Sequence, residues 1–324
     1  MNSKNNNYSE NEQLSLNEFK SLKSKEIDYK FIIYIFFSIF KFISLFIIII
    51  MIKTNRQKLS VKNLLIEKLN IIESIIKSIK EKTIIYQTNY NIYKFLCPYG
   101  VIGHQKKRIG RKADGGYILL DDLNNIKIAY SFGINREISF DKELADRNID
   151  VFMYDHTIKI LPFENQKFHW KKIGLSGIII NNTNLKTLPE LLKENGHDKE
   201  KDMILKFDIE SYEWIVFQNL PKNILNQFKY IVGEFHFSRR KKINYLNILE
   251  KIQLTHKIFH LHCNNCGRII KRDGYKICNL LEISFIKKNG YKFYQNNNTF
   301  PIKGLDYKNC KKKREISDIL NFYN

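Results

Sequence analysis

Residues 31 to 52, FIIYIFFSIFKFISLFIIIIMI, form a 22-residue apolar run broken by one charge, Lys41. About 20 such residues at 1.5 Å rise cross a hydrocarbon core of roughly 30 Å. A central lysine costs roughly 2.5–3.5 kcal/mol on insertion scales, and the surrounding Ile and Phe outweigh it. The run is too long, and starts too far from Met1, for a cleaved signal peptide. As a buried core helix it would need a partner hydrophobic all round, and no second run of this kind exists. A single transmembrane helix over 30–53 is therefore expected, in contact with a lipid bilayer through 31–52. It divides the chain into a polar tail (1–29), a stem (54–94) and a body (95–324).

The tail is rich in Asn, Ser and Glu and is expected to be disordered. Beyond the span, Val61, Leu65, Leu69, Ile72, Ile76 and Ile79 recur at spacings of three and four. That stripe predicts an amphipathic helix, suited to a dimerising stem or to lying on the body or the membrane surface. Orientation is not readable from charge, because Lys20, Lys23, Lys25 and Lys30 precede the span while Lys53, Arg56, Lys58, Lys62 and Lys68 follow it. An N-terminal anchor ahead of a folded domain commonly places that domain in the secretory lumen, and this is the expected location. Asn181 and Asn297 head glycosylation patterns, which arise by chance in so Asn-rich a chain.

The 324 residues carry a formal charge of +21, which invites a nucleic-acid reading. Lysine is scattered among glutamates rather than gathered on one element, so the bias raises the pI without building a site, and nucleic acid is not the expected partner. Five cysteines are too few for a disulfide framework, and the odd count leaves a free thiol or an intermolecular bond.

From residue 95 the pattern changes. Strand-like runs fall at 127–133, 150–155, 167–174, 203–208, 230–237, 257–263 and 279–286. Helical candidates fill most intervals, at 139–148, 185–196, 211–219 and 241–254. Strands alternating with helices at this spacing predict βαβ units in an α/β fold with a mostly parallel sheet. Only a turn region separates the last two runs, so the sheet should end in an antiparallel pair. In such a sheet ligands sit beyond the carboxyl ends of the strands, at the topological switch point. The strands end there in Gly133 to Glu137, Asp155, Asp208 with Glu210, Glu234 with His236, and His262 with Asn264 and Asn265.

Taken together, RKADGGYILLDD (111–122), AYSFGINREISFD (129–141), VFMYD (151–155), ILKFDIESYEW (204–214) and EFHF (234–237) resemble the family of methyltransferase-like protein 24. That family is related to the FkbM-type methyltransferases. The resemblance spans about residues 95–290 and implies a Rossmann-like, seven-stranded class I methyltransferase sheet with an antiparallel last strand, using S-adenosylmethionine. It places Phe132, Gly133, Asn135, Glu137, Asp155 and Asp208 at the cofactor. Asp155 would accept the ribose hydroxyls, with a turn or helix-cap aspartate as the alternative. Glu137 would meet the sulfonium or amino group, or else sit solvated in a first helical turn. S-adenosylmethionine carries no pyrophosphate, so a single glycine at Gly133 suffices, where a dinucleotide loop needs the fuller glycine set. Asn135 stands where the family has a second glycine, and Asn tolerates left-handed geometry. Ser211 replaces the glycine of an acid-x-Glu-Gly pattern; if that position needs a positive φ, serine costs roughly 1–2 kcal/mol.

Asp208, Glu210, Glu234 and His236 are the candidate catalytic residues. Glu234 and His236 alternate about Phe235 and share a strand face, which suits His236 as base and Glu234 as its orienter. The expected activity is O-methylation of a glycan or small-molecule hydroxyl; the alternative is an inactive methyltransferase fold tethered to a membrane as a binding module. No metal is expected. In HLHCNNC (260–266) zinc would need the strand to end between the histidines and Cys266, and only Cys278 follows nearby.

Overall fold

The computed structural model describes residues 95–180, 184–237, 245–272, 275–296 and 300–317, with isolated positions between 40 and 78. The chain divides into two compact units, Met1–Glu81 and Lys82–Asn324. In the first, every described position is helical. Ser44 and Ser74 donate to the carbonyls of Phe40 (2.8 Å) and Ile71 (2.9 Å), one turn back. Apart from Phe40 and Ser44, the apolar run 31–52 lies outside the described residues, as do the six stripe residues of the stem. Among the described residues no helix is long and apolar enough to cross a membrane.

The second unit is built on one seven-stranded sheet. Its strands are β1 (Ile128–Phe132), β2 (Asp150–Tyr154), β3 (Phe168–Lys171), β4 (Met203–Phe207), β5 (Phe228–His236), β6 (His256–Cys263) and β7 (Leu280–Lys287). They lie in the order β3-β2-β1-β4-β5-β7-β6. The first five are parallel, while β7 runs antiparallel to both β5 and β6. The expected mostly parallel sheet with an antiparallel last strand is what forms. Chain direction across the sheet reverses between β1 and β4, which sets the switch point there.

Helices α1 (Ser139–Ala145), α2 (Leu188–Glu194), α3 (Glu213–Asn219), α4 (Lys222–Leu225) and α5 (Tyr245–Gln253) cover the sheet. Parallel strands buried on both faces read as continuous apolar runs, and two cores result. One holds Leu205, Phe207, Ile231, Phe235 and Ile283 with α2, α3 and α5; the other holds Ala129, Val151, Ile204, Val232 and Ile286 with α1. Strand alternation puts Lys206, Glu234, His236, Glu282, His260 and His262 on the second face. That face is apolar over most of the sheet and polar at the carboxyl ends of β4 and β5.

Several predicted boundaries shift. The run 167–174 splits into β3 and a short strand Gly174–Ser176, which pairs with Leu185–Thr187. The helix expected from 185 therefore starts at Leu188, where Thr187 and Glu190 close a capping box and Pro189 sits in the first turn. The helix expected from 211 starts at Glu213, because Glu210 and Ser211 hold φ of 52° and 80°. Between β6 and β7 the chain forms a hairpin, Ile269–Arg272 with Tyr275–Cys278. A disulfide joins Cys266 to Cys310, a pairing the cysteine spacing did not single out; Cys97, Cys263 and Cys278 take no part in a disulfide.

Phe235 is fully buried, with the rings of Phe207, Trp214, Phe217 and Phe285 at 5.0–5.9 Å. Phe235→Ala is expected to lower stability by about 3–5 kcal/mol in urea unfolding; a loss under about 1 kcal/mol would contradict this packing.

Candidate functional site

The switch point is closed by backbone. Asp208 N–H donates to the Phe132 carbonyl at 3.0 Å, and Gly133 N–H to that of Tyr154 at 3.1 Å. Gly133 has φ +73°, and a Cβ there would lie 1.8 Å from the Asp208 carbonyl oxygen. Only glycine fits, because the ends of β1 and β4 touch. Lys206, buried in the middle of β4, sends Nζ to the carbonyls of Gly133 (2.7 Å) and Phe132 (3.3 Å). The Phe132 ring packs in the core against Tyr154, so only its backbone belongs to the loop. Asn135 adopts φ 49°, the left-handed form that asparagine tolerates.

Asp155 ends up beside this loop. Its Oδ2 accepts from Ile134 N–H (2.9 Å) and Asn135 N–H (2.8 Å), and its Oδ1 from the Thr157 N–H (2.7 Å) and hydroxyl (2.6 Å). Burial raises its pKa, but these bonds outweigh burial and lower it. Four donors fill the lone-pair positions of a carboxylate, so Asp155 pins the loop after β1 to the loop after β2. Glu137 is engaged as well: Oε2 pairs with Arg111 at 2.6 Å, and Oε1 accepts from Ser139 N–H at the start of α1. Gly115 packs on this glutamate, since a Cβ there would meet Glu137 Cγ at 2.1 Å.

The remaining candidates form a cluster at the carboxyl ends of β4 and β5. One ligand atom each from Asp208, Glu234 and His236 lies within 4.8 Å of the others. His236 is the best-held member. Its backbone N–H donates to Glu213 Oε1 at 2.6 Å, its carbonyl accepts from Trp214 Nε1 at 2.7 Å, and its Nδ1 lies 3.2 Å from the same Glu213 oxygen. Nε2 faces Glu234 Oε1 at 3.2 Å and Glu210 Oε2 at 3.4 Å. The ring is therefore oriented by Glu213, the first residue of α3, and not by Glu234, which stands at the opposite nitrogen. Sequence reasoning missed Glu213 because it sits on another element; its only signal was a third acid in DIESYEW.

Electrostatics around the cluster are strained. Burial opposes charge on His236, but Glu213, Glu234 and Asp208 hold it up at about 9. Burial, then Asp208 and Glu282, push Glu234 up to about 8. Burial also raises Asp208, against the pull of Lys206 and His236. Tyr117 of the GGYILL stretch stays a neutral phenol, through burial and the nearby Asp208, Glu282, Glu234 and Asp114. Glu282 lies directly across from Glu234 in the β5–β7 register and is one of the groups that disfavour the Glu234 charge.

The histidines of HLHCNNC do not form a zinc site with Cys266, which is in the disulfide. His260 pairs with Asp306 at 2.8 Å, and His262 with Glu282 at 2.8 Å and Glu315 at 3.3 Å. Asn264 donates to Glu234 Oε2 at 2.5 Å and so walls the cluster. Asn265 holds the segment 310–314 through the Cys310 amide and the carbonyls of Cys310, Lys313 and Arg314. Nothing in the sequence pattern marked that C-terminal segment as part of the site.

No protein-family model matches the chain, and no curated relative is found. Among solved structures it is similar to a SAM-dependent methyltransferase from Streptococcus mutans, at 10% identity, covering 49% of this chain and 44% of that one, with a TM-score of 0.31. It is also similar to a hemolysin from Streptococcus thermophilus (10% identity, 54% of this chain, 72% of that one, TM-score 0.26). A third is the precorrin-6y C5,15-methyltransferase of Geobacter metallireducens GS-15 (14% identity, 52% of this chain, 84% of that one, TM-score 0.26). The chain thus spans less than half the length of the first of these. At such scores the likeness carries no argument, and a functional reading has to come from the site itself.

Ser211 holds φ 80° and Glu210 φ 52° in succession, a conformation unfavourable for side chains other than glycine. Ser211→Gly is expected to raise stability by about 0.5–1 kcal/mol in urea unfolding, after the greater freedom of glycine in the unfolded chain is discounted. A loss of stability would show that the bend is not strained.

Proposed function

We propose that the body is an S-adenosylmethionine-dependent methyltransferase acting on a hydroxyl of a glycan or other small molecule, tethered to a lipid bilayer through residues 31–52. One observation carries the reading: an imidazole at the carboxyl end of β5, held at Nδ1 by buried Glu213 and faced at Nε2 by Glu234 and Glu210, beside the switch point. When bound, the cofactor supplies an electrophilic methyl carbon on a sulfonium. A cationic sulfonium suits a pocket edge formed by Asp208, Glu210 and Glu234. His236 Nε2 would take the hydroxyl proton of the acceptor, whose oxygen would receive the methyl group that the cofactor supplies, with the demethylated thioether as leaving group. Of the four donors on Asp155, the Thr157 hydroxyl is the one that is not backbone, and in this reading a ribose hydroxyl replaces it.

The Cys266–Cys310 disulfide supports an oxidising compartment for the body, in keeping with an N-terminal anchor and a lumenal domain. A second reading, an inactive methyltransferase fold used as a binding module, draws on the oxygens of Asp155 and Glu137 already taken by the chain itself.

Calorimetry of the full chain in detergent micelles with S-adenosylmethionine and its demethylated product tests cofactor binding, and methyl transfer to a panel of hydroxyl acceptors then separates enzyme from binding module. No binding of either nucleoside overturns the proposal. His236→Ala and His236→Asn should abolish turnover while leaving cofactor affinity within about twofold; unchanged turnover removes His236 from the chemistry. With chelator present, turnover should rise roughly tenfold per pH unit and level off near the His236 pKa of about 9, because the base acts only when neutral. A flat profile between about pH 6 and 8 would exclude it.

A further inference from the structure

We propose that Asp208, Glu234 and His236 bind a divalent first-row transition cation. Two ligands about 2.1 Å from one cation sit about 3.0 Å apart when cis and about 4.2 Å apart when trans. The three donor atoms here lie within 4.8 Å of one another, and His236 Nε2 is 3.2 Å from Glu234 Oε1. A cation can therefore be seated with sub-ångström adjustment. Glu210 Oε2, 3.4 Å from Nε2 on an exposed side chain, can close on it as a fourth donor.

An independent observation comes from Glu213. Its side chain is fully buried, and Oε1 serves both the backbone N–H and Nδ1 of His236. Among the described residues its Oε2 is buried without a hydrogen-bond partner. A carboxylate on one ring nitrogen of a histidine is the arrangement that orients metal-bound imidazoles. It fixes the proton on Nδ1 and leaves Nε2 facing the oxygens of Glu234 and Glu210, a position held by a proton below about pH 9 when no cation is bound. Lone pairs set against one another repel unless a proton or a cation lies between them. Among the described residues, Asp208, Glu213 and Glu234 surround one imidazole, while Lys206 directs its ammonium to the carbonyls of Phe132 and Gly133. A dication offsets that excess and removes the cost of burying an incompletely paired carboxylate. The histidine in the set favours Mn²⁺ or Zn²⁺ over Mg²⁺ or Ca²⁺.

The inference deepens the methyl-transfer reading and rests on it for its consequence. With a cation bound, a hydroxyl acceptor beside it would lose its proton to solvent more readily, and His236 serves as the base only in the cation-free protein.

The test is titration of chelator-stripped full-length protein in micelles with Mn²⁺ alone, following free Mn²⁺ by electron paramagnetic resonance. One ion per chain should bind, displaced by Zn²⁺ but not by millimolar Mg²⁺. Asp208→Asn and His236→Gln should each weaken binding at least tenfold, and Glu213→Gln by about 10- to 100-fold. Asp122→Asn, at the opposite end of the sheet, should bind like the wild type. Urea midpoints measured in chelator identify any variant that merely unfolds, and the wild-type titration decides the matter even if they all do. Absence of saturable Mn²⁺ binding, or binding unchanged in folded Asp208→Asn and His236→Gln, overturns the proposal. Titrating the demethylated cofactor into the same samples keeps the two ideas apart. Nucleoside binding without a cation site sinks this inference alone; a cation site without nucleoside binding sinks the methyltransferase reading alone.

Discussion

The contact between the ends of β1 and β4 governs the rest of the site. A Cβ on Gly133 would stand 1.8 Å from the Asp208 carbonyl oxygen, so the two strand ends can meet only because the residue is glycine. Once they meet, the Lys206 ammonium is pulled under the loop by the carbonyls of Phe132 and Gly133. The next loop is then pinned by Asp155 through amides on both sides. The glycine that looked in sequence like a point of cofactor approach is first a point of chain approach. Any ligand that binds here meets a surface already shaped by these bonds.

The second consequence is a concentration of acid. Alternation on β5 sends Phe235 into the aromatic core and Glu234 and His236 to the other face. The antiparallel insertion of β7 then sets Glu282 opposite Glu234 in register. Like charges opposed across a ladder are unfavourable. They persist because His262 takes up Glu282, Asn264 takes up Glu234, and the segment 300–317 seals that side through His260–Asp306, His262–Glu315 and the disulfide. Consecutive left-handed residues at Glu210 and Ser211 add backbone strain at the same strand end. Strain and opposed charge therefore meet at one strand end.

Much of the architecture was legible in the chain. Seven apolar runs became the seven strands of the sheet, and the turn-like interval before the last run correctly implied an antiparallel partner. Boundaries slipped where a local bond outweighed the pattern, as at the Thr187–Glu190 capping box. Within the site, Asp208, Glu234 and His236, named from strand ends and the family resemblance, lie within 4.8 Å of one another. The partners that set their chemistry were not legible. Glu213 reaches His236 from a helix, Asn264 reaches Glu234 from another strand, and the C-terminal segment arrives from about fifty residues downstream of His262.

Sequence by itself determined the strand-and-helix alternation and the side of the sheet each residue faces. These follow from periodicity and hydrophobicity, which are local properties of the chain. Tertiary structure alone decided which carboxylate orients His236, that Asp155 and Glu137 spend their oxygens on the chain itself, and that Cys266 bonds to Cys310. Hydrogen bonds and disulfides depend on ångström-scale distances between remote residues, and strand periodicity carries no information about those distances.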